Sequence, residues 1–376
     1  MDARSVPLGL YVHVPFCAAR CGYCDFNTYV PRGPGQQSEF VDAALSELRS
    51  ARAELGDRSV ATVFFGGGTP TLLGSGELLR LLEGIGDTFR LAADVEVTTE
   101  ANPESVDPQM LRALRRGGFT RVSIGMQSAA PHVLRTLDRV HTPGRAAAAA
   151  VEARTAGFEH VSLDLIYGTP GESDADWEQT LEAALETEPD HVSAYALTVE
   201  TGTAMAAAVA RGALAAPDDG DQARRFTYAD ERLHTAGFEW YELSSWAVSA
   251  DARCRHNIGY WRSYDWWGIG PGAHSHVAGV RWWNVLLPAA YAARLRDGRS
   301  PAAGREVLTG EQLALEAVML GLRQREGLAL SVLSADGTRA LERELAQRRV
   351  TVADGRVQLT RRGRLFADAV VRELSA

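Results

Sequence analysis

Lysine is absent from this chain of 376 residues, and all 39 of its basic residues are arginine. A lysine amine is required by Schiff-base aldolases and pyridoxal phosphate enzymes, and the phosphate-binding loop of P-loop nucleotide hydrolases needs one as well. The sequence therefore excludes these three enzyme classes. The bias toward arginine indicates genome composition and needs no functional explanation.

Cysteine and long apolar runs are also scarce. The chain has four cysteines, and no stretch reaches the ~18 apolar residues of a membrane-spanning helix. Its first residues lack the long apolar segment of a signal peptide. We therefore expect a cytoplasmic protein whose cysteines bind metal or act in catalysis instead of forming disulfides. The net charge of −9 argues against nucleic acid as the principal partner.

Three of the cysteines, Cys17, Cys21 and Cys24, form a C-x3-C-x2-C motif. Cysteine thiolates hold iron–sulfur clusters, and three in one loop can bind three irons of a [4Fe–4S] cube while the fourth iron stays open. The alternative is a structural zinc site, which prefers four ligands in two separated pairs. No second pair exists, because Cys254 lies alone far downstream. The spacing therefore favours a cluster.

Short β-branched or aromatic runs alternate with amphipathic stretches over about the first 240 residues, which is typical of parallel βα units. The predicted strands are Leu8–Val14, Val60–Phe65, Asp94–Thr99, Arg121–Met126, His160–Tyr167 and His191–Thr198. The predicted helices are Glu39–Leu55, Gly76–Phe89, Pro108–Arg116, Pro143–Ala156, Ala175–Glu186 and Asp221–Ala236. Six units are too few for a closed eight-stranded barrel, so we predict an α/β fold with a partial, open barrel.

Polar or glycine residues lie at or near the C-terminal ends of the first five predicted strands. The first strand runs into the cysteine loop and the second into a G-G-G-T-P turn. The next three end at Glu100, Gln127 and Asp164. Because the active site of a βα barrel is built at the C-terminal ends of its strands, these residues predict one site beside a metal cluster.

The cysteine motif and the glycine turn resemble those of the radical S-adenosylmethionine (SAM) superfamily, in the branch that contains oxygen-independent coproporphyrinogen III dehydrogenase (HemN). The resemblance covers nearly the whole chain. It implies a (β/α)6 TIM-like barrel with a [4Fe–4S] cluster on Cys17, Cys21 and Cys24. The open iron of the cluster would chelate SAM, and an electron from the cluster would cleave SAM to a 5′-deoxyadenosyl radical.

The same resemblance implies a set of SAM-binding residues. At the cluster and the methionine moiety these are Tyr11, Tyr23, Gly67, Gly68, Thr69, Glu100 and Arg139. At the nucleoside they are Gln127, Asp164 and Ala196. The tyrosines would flank the cluster, the glycine turn would offer backbone groups, and the arginine would hold a carboxylate with its two-pronged guanidinium.

Two departures disfavour the dehydrogenase activity. The dehydrogenase has a further cysteine where this chain has Phe26, and the segment before Cys17 is too short for its N-terminal extension. A different activity is indicated further along, where seven of the eight tryptophans lie between Trp240 and Trp283. Such rings suit a flat apolar macrocycle whose iron is bound by a histidine, although some of these tryptophans must serve packing.

Within the tryptophan-rich segment, His256, Asn257, Tyr260 and Trp261 match the HNxxYW heme-binding motif of the heme-chaperone (HemW) branch. His256 is therefore the candidate heme ligand. His274 and His276 are alternatives, and a buried structural histidine is the other interpretation of each. Whether Cys254 binds heme or is inert stays open.

The chain is divided by these patterns into a radical SAM core (1–240), a segment with the heme motif and a connector (241–300), and a C-terminal HemN-like domain (301–376). In the last part we predict the helices Glu311–Arg323 and Thr338–Arg348, a hairpin on Asp354-Gly355 and a final helix, which resembles a small winged-helix-like α+β domain. Arginines make its rim basic, and docking to a protein or simple solvation is favoured over DNA binding because the whole chain is acidic.

The leading hypothesis is a heme chaperone on a radical SAM scaffold that binds a [4Fe–4S] cluster, SAM and heme and transfers heme to acceptor proteins, with acceptors at a membrane surface as one alternative. The second hypothesis is an oxygen-independent coproporphyrinogen III dehydrogenase. The third is a radical SAM enzyme with an unrelated substrate.

Overall fold

The computed structural model describes residues 6–375, and its first six strands follow the predicted order. They are β1 (Leu8–Val14), β2 (Val60–Gly67), β3 (Leu91–Ala101), β4 (Arg121–Gln127), β5 (His160–Tyr167) and β6 (His191–Ala196). Each pairs in parallel with the next. Apolar side chains alternate into a common core, as Leu8, Leu10 and Val12 do on β1. The six predicted βα units are confirmed.

The connecting helices cover the outer face of these strands. They are α1 (Gln36–Leu55), α2 (Gly74–Thr88), α3 (Pro108–Arg116), α4 (Pro131–Thr136), α5 (Arg145–Thr155), α6 (Asp174–Leu185), α7 (Ala204–Ala210) and α8 (Asp219–Thr235). Short 3-10 turns lie at Pro70–Leu73, Pro103–Ser105 and Leu330–Val332. Local caps set several helix starts; in α6, Ser173 and Asp176 form a reciprocal capping box.

The tryptophan-rich segment continues the same sheet on both sides. Its elements are β7 (Glu239–Glu242), β8 (Ser245–Ala247), α9 (Arg255–Trp261), β9 (Asp265–Ile269), β10 (His274–Val277), β11 (Val280–Asn284), α10 (Pro288–Arg296) and β12 (Ala302–Val307). The sheet order is β12-β11-β10-β9-β1-β2-β3-β4-β5-β6-β8-β7, so the barrel stays open between β12 and β7. Strand β9 pairs in parallel with β1 and adds a seventh parallel strand that the sequence did not predict.

The C-terminal part has its own small core, as predicted for an α+β domain. It contains α11 (Gly310–Leu322), β13 (Leu328–Ala329), α12 (Ala335–Ala346), β14 (Val350–Ala353), β15 (Arg356–Leu359), α13 (Arg361–Arg364) and α14 (Ala367–Leu374). The three strands form a separate sheet, and a second hydrophobic cluster lies between that sheet and the helices.

The basic rim of this domain is partly used for internal contacts. Arg361 and Arg364 both form ion pairs with Asp230 on α8, and the Arg364 guanidinium lies 4.4 Å from the centre of the Trp240 ring. These contacts join the small domain to the barrel. The division of the chain at 240 and 300 stays a prediction.

Candidate cluster and cofactor site

A cavity of about 700 Å³ occupies the open barrel and reaches the C-terminal ends of its strands. It is lined by the predicted cluster and SAM residues, which are Tyr11, Cys17, Cys21, Tyr23, Cys24, Gly67, Gly68, Thr69, Glu100, Gln127, Arg139, Asp164 and Ala196. Three of the four heme-motif residues, His256, Asn257 and Tyr260, line it too. The structure therefore brings these residues together in one space, whereas Trp261 does not line the cavity.

The cysteine loop is tied to the barrel by its backbone. Cys17 N–H donates to Tyr29 O (3.0 Å), and Tyr29 N–H donates to Pro15 O (2.7 Å). All three thiols are free and half-buried. Burial raises the pKa of the Cys17 and Cys24 thiols, and the neighbouring thiols raise it further. A positively charged metal centre would offset this cost by binding the thiolate form.

The arrangement of the thiols bears on what they hold. Among residues 6–375, no three His, Cys, Asp or Glu side chains converge closely enough to ligate one metal ion. A cube of four irons places each thiolate on a different iron, so its ligands need not converge on a point. The three thiols on one loop, facing one cavity, fit such a cluster better than a single zinc ion.

The glycine turn after β2 lets two backbones approach each other. A Cβ on Gly68 would lie 2.5 Å from Phe16 O, and Gly67 has a φ of +103° that favours glycine. The N–H groups of Gly67, Gly68 and Thr69 donate to Glu100, Val14 and Phe16. The turn is thereby fixed against β1 and the cysteine loop, and its three N–H groups already have hydrogen-bond acceptors within the protein.

Arg139 is a partly buried cation whose guanidinium can still donate a further hydrogen bond. Its Nη2 donates to Gly125 O (2.8 Å), and its Nη1 lies 3.7 Å from Cys21 Sγ. Its buried Nε has no hydrogen-bond partner within the described residues. A guanidinium with a free donor next to the cluster cysteines fits the carboxylate of an amino-acid ligand such as the methionine moiety of SAM.

Burial disfavours the charged form of two carboxyl groups inside the barrel. Burial, followed by the proximity of Asp164, raises the pKa of Glu100 to about 8. Burial also raises the pKa of Asp164, which accepts hydrogen bonds from Ser123 Oγ at 3.0 and 2.9 Å. A bound cation, such as the sulfonium of SAM, would counteract both shifts because it stabilises carboxylates nearby.

Gln127 marks the nucleoside end of the predicted SAM site. It has a φ of +63°, which is uncommon for a residue with a side chain, and the β4–β5 register shifts just before it. Strain of this kind is often found at binding sites. Gln127 lines the cavity with Asp164 and Ala196, in agreement with a common binding surface.

The heme motif forms α9 at the other end of the cavity. The His256 ring is buried, with Nδ1 2.8 Å from Thr62 Oγ1 and Nε2 2.8 Å from Tyr260 Oη. It stacks on Phe64, with 5.1 Å between the ring centres. Burial lowers the pKa of His256 to about 3, so the ring is neutral and has one nitrogen lone pair suited to a metal.

The alternative histidines lie elsewhere. His274 is exposed and stacks on Trp283 in the antiparallel extension of the sheet. His276 is buried, and its Nδ1 is 3.1 Å from Tyr264 O. Neither residue lines the large cavity, in contrast to His256.

The tryptophans mainly pack the fold. Trp246 is fully buried and donates to Asp230 (2.9 Å), while Trp267 and Trp282 meet edge to face on neighbouring parts of the sheet. Among residues 6–375, no tryptophan lines the large cavity. These contacts therefore support a packing role for most of the tryptophans.

Sequence reasoning missed two residues that hold the heme motif. Thr62 and Glu96 are partners in the β2–β3 register, and both are buried. Glu96 accepts hydrogen bonds from the N–H groups of Arg255 and His256, both at 3.0 Å. Cys254 is buried beside them, with Sγ 3.8 Å from Glu96 Oε1. The signal available in the sequence was a polar residue at an inward-facing position of each of two predicted strands.

Comparisons with known proteins agree with this geometry. The family model described as the radical SAM superfamily matches residues 11–184. The heme chaperone HemW of Mycobacterium tuberculosis (strain ATCC 25618 / H37Rv) is 54% identical over 370 residues, covering 98% of this chain and 95% of the relative. The heme chaperone HemW of Escherichia coli (strain K12) is 38% identical over 271 residues, covering 72% and 70%.

A solved structure extends the comparison to the fold. The coproporphyrinogen III oxidase HemN of Escherichia coli superposes with a TM-score of 0.86 over 100% of this chain and 92% of that one. Its sequence identity of 24% supports a shared fold and nothing more specific. In the part of the chain that the structure describes, no helix has the length and apolarity needed to cross a membrane.

Proposed function

The chain belongs to the radical SAM superfamily and, within it, to the HemW family of heme chaperones, and from this premise we propose that it binds heme through His256 and delivers it to acceptor proteins. Membership in the superfamily implies a [4Fe–4S] cluster and SAM. The cluster belongs on Cys17, Cys21 and Cys24, and the SAM carboxylate on Arg139.

One observation carries the proposal. His256 and Tyr260 of the HNxxYW motif line the same cavity as the cluster cysteines, and the His256 ring is neutral and buried. A neutral imidazole in an apolar setting is the form that ligates heme iron. The motif therefore lies in the wall of the cavity that the cluster and SAM residues line.

The bound groups would supply the redox chemistry: the cluster provides an electron, and SAM is the group it can cleave. The residues of this chain hold and orient these groups. Arg139 offers a fixed positive charge next to the cysteine loop, and burial raises the pKa of the Glu100 and Asp164 carboxyl groups that face the same cavity.

The dehydrogenase hypothesis finds no specific support at this site. Phe26 stands where the dehydrogenase has its further cysteine, and it is 56% exposed at the mouth of the cavity. An exposed phenyl ring offers no proton transfer or metal ligation there. Heme carriage is therefore the function that we conclude.

The test is an anaerobic hemin titration of the cluster-reconstituted protein, followed by Soret absorbance. We expect saturation at about one heme per chain and an affinity loss of about tenfold or more in His256→Ala, equivalent to about 1.4 kcal/mol. His274→Ala is the control, since His274 is exposed and outside the cavity.

Two outcomes would contradict the proposal. Specific binding that is unchanged in His256→Ala would place the ligand elsewhere. Absence of specific binding, combined with anaerobic formation of protoporphyrinogen from coproporphyrinogen III, would show the dehydrogenase instead.

A further inference from the structure

A second, smaller cavity of about 220 Å³ lies at the opposite end of the strands from the cysteine loop. It is bounded by the N-terminal ends of β1, β2 and β9 and by α9. Gly9, Thr62 and Trp266 contribute to its wall. We refer to it as the N-terminal pocket.

His256 and Tyr260 form the partition between the two cavities. Among the described residues, these two alone line both the N-terminal pocket and the cluster cavity. Thr62, the partner of His256 Nδ1, lines only the N-terminal pocket. The Nδ1 edge of the ring therefore faces away from the cluster.

Gly9 lies against this edge of the ring without a side chain. A Cβ on Gly9 would lie 3.2 Å from His256 Cε1 and 3.3 Å from Nδ1, so a side chain there would press on the ring. Gly9 has no positive φ that would itself call for glycine. A side chain at this position would crowd the Thr62 hydroxyl as well, since the added Cβ would lie 3.0 Å from Thr62 Oγ1.

The chemistry of the pocket suits an apolar macrocycle with acidic substituents. Its wall contains Leu8, Ile258 and Trp266, and two arginines stand beside it. The side chains of Arg255 and Arg262 are 40% and 43% exposed, so they can reach carboxylates at the rim. Arg255 is paired with Asp94, while Arg262 lies 4.0 Å from its nearest acid, Glu326.

We propose that heme reaches His256 through the N-terminal pocket and is ligated by Nδ1, on the far side of the partition from the cluster and SAM. This inference rests on the proposed function and adds the route and the ligating atom. The hydrogen bond from Thr62 Oγ1 to Nδ1 breaks, and the Nδ1 lone pair binds iron. The Nε2 proton remains donated to Tyr260 Oη, and no electron is transferred.

The size of the pocket fits a carrier. At about 220 Å³ it is smaller than the ~300–1,000 Å³ of pockets that enclose small ligands. Part of the macrocycle would therefore remain outside the protein. A partly exposed heme is one that an acceptor protein can contact before release.

Two substitutions of Thr62 test the ligating atom because the proposal predicts opposite effects. Thr62→Ala removes the hydroxyl that competes with iron, so hemin should bind about three- to tenfold more tightly, as expected for one lost hydrogen bond. Thr62→Val holds a methyl group against Nδ1 and should weaken binding by about tenfold or more. Ligation through Nε2 from the cluster cavity would make the two variants change in the same direction, and that result overturns the proposal.

Gly9→Ala tests the route independently. Its methyl group would crowd the Nδ1 edge, so hemin affinity should fall by about tenfold while iron content and SAM binding stay at the wild-type level. Gly86→Ala is the control, because a Cβ there meets nothing within 4 Å. Unchanged hemin affinity in Gly9→Ala contradicts the route.

A competition experiment separates this inference from the proposed function. Saturating S-adenosylhomocysteine should leave the hemin affinity of the wild type unchanged, since the two ligands occupy opposite sides of the partition. Strong competition would place heme in the cluster cavity. If wild-type protein does not bind hemin, the proposed function fails; if His256→Ala weakens binding while Gly9→Ala and the Thr62 variants leave it unchanged, only the route fails.

Discussion

The two ends of the barrel differ in how their polar groups are satisfied. At the cluster end, three thiols and the buried Nε of Arg139 have capacity left for a ligand. At the opposite end, where His256 lies (the histidine end), both ring nitrogens of His256 are hydrogen-bonded. Glu96 accepts hydrogen bonds from the first N–H groups of α9. The cluster end is thus preformed, whereas the histidine end is closed and must exchange bonds to bind.

This difference has a physical cause and a functional consequence. A buried donor without a partner costs about 1–3 kcal/mol, and at Arg139 a resident ligand could supply the missing partner. A site whose groups satisfy each other is stable when empty. The first arrangement suits cofactors that stay, and the second suits cargo that leaves.

The largest expected effect is loss of the cluster. Cys17→Ser, Cys21→Ser and Cys24→Ser should each lose the cluster, because a hydroxyl is a far poorer iron ligand than a thiolate. Iron and sulfide content after anaerobic reconstitution, together with visible absorbance, measure the result. Cys254→Ser is the matched control and should keep wild-type iron, since Cys254 is buried at the histidine end. Full iron content in any of the first three variants would refute the ligand assignment.

The second effect concerns the free guanidinium donor. Arg139→Lys keeps the charge but removes the planar pair of donors, so SAM affinity should fall by about 10- to 100-fold, the range for a charged hydrogen bond of about 1.5–3 kcal/mol. Equilibrium binding of SAM measures this, and hemin affinity should not change. Arg145→Lys is the control, because Arg145 pairs with Glu152 on α5. Equal losses in both variants would mean that Arg139 has no special role.

The third prediction distinguishes the two ends of the barrel by the pH dependence of protein stability. Burial raises the pKa of Glu100 to about 8, so its contribution to the stability of the cluster-free protein is present below about pH 4.5 and is lost as the pH rises through 8. Burial lowers the pKa of His191 at the other end of the barrel. The contribution of His191 to stability is therefore present above about pH 6.5 and is lost as the pH falls.

Variants at the two positions should therefore flatten opposite flanks of the stability curve. In chemical unfolding of the cluster-free protein, Glu100→Gln should reduce the decline between about pH 5 and 8 by roughly 1–3 kcal/mol, given 1.36 kcal/mol per pKa unit. His191→Gln should reduce the decline below about pH 6.5. If both variants altered the same flank, the assigned directions would be wrong.

The strands and the cluster loop were predictable because their signals are local. Leu8–Val14 and His160–Tyr167 were predicted to the residue, since β-branched runs and alternation define a strand within a few positions. Strand β9 was missed because its D-W-W-G-I sequence was interpreted as part of an aromatic site. Its place beside β1 depends on a pairing between distant parts of the chain.

The arrangement around His256 was beyond sequence reasoning for the same reason. The HNxxYW pattern identifies the histidine, but Thr62 and Glu96 reach it from strands more than 150 positions away in the chain. Neither residue stands in a motif of its own. Only the register of β2 and β3 places one on the ring and the other on the backbone of the same residue.

The smallest effect should come from Glu96, and it tests whether the histidine end is held by the barrel. Glu96→Gln leaves one oxygen for two N–H donors, so the free energy of unfolding should fall by about 1 kcal/mol, as for the loss of a helix cap. Hemin affinity should fall with it, because α9 carries His256, while SAM affinity should stay constant. Asp94→Asn is the control: Asp94 contacts the same helix through Arg255, but it is exposed, and such pairs contribute little. Loss of SAM binding in Glu96→Gln would show that the two ends are coupled through β3 and that the contrast between them is incomplete.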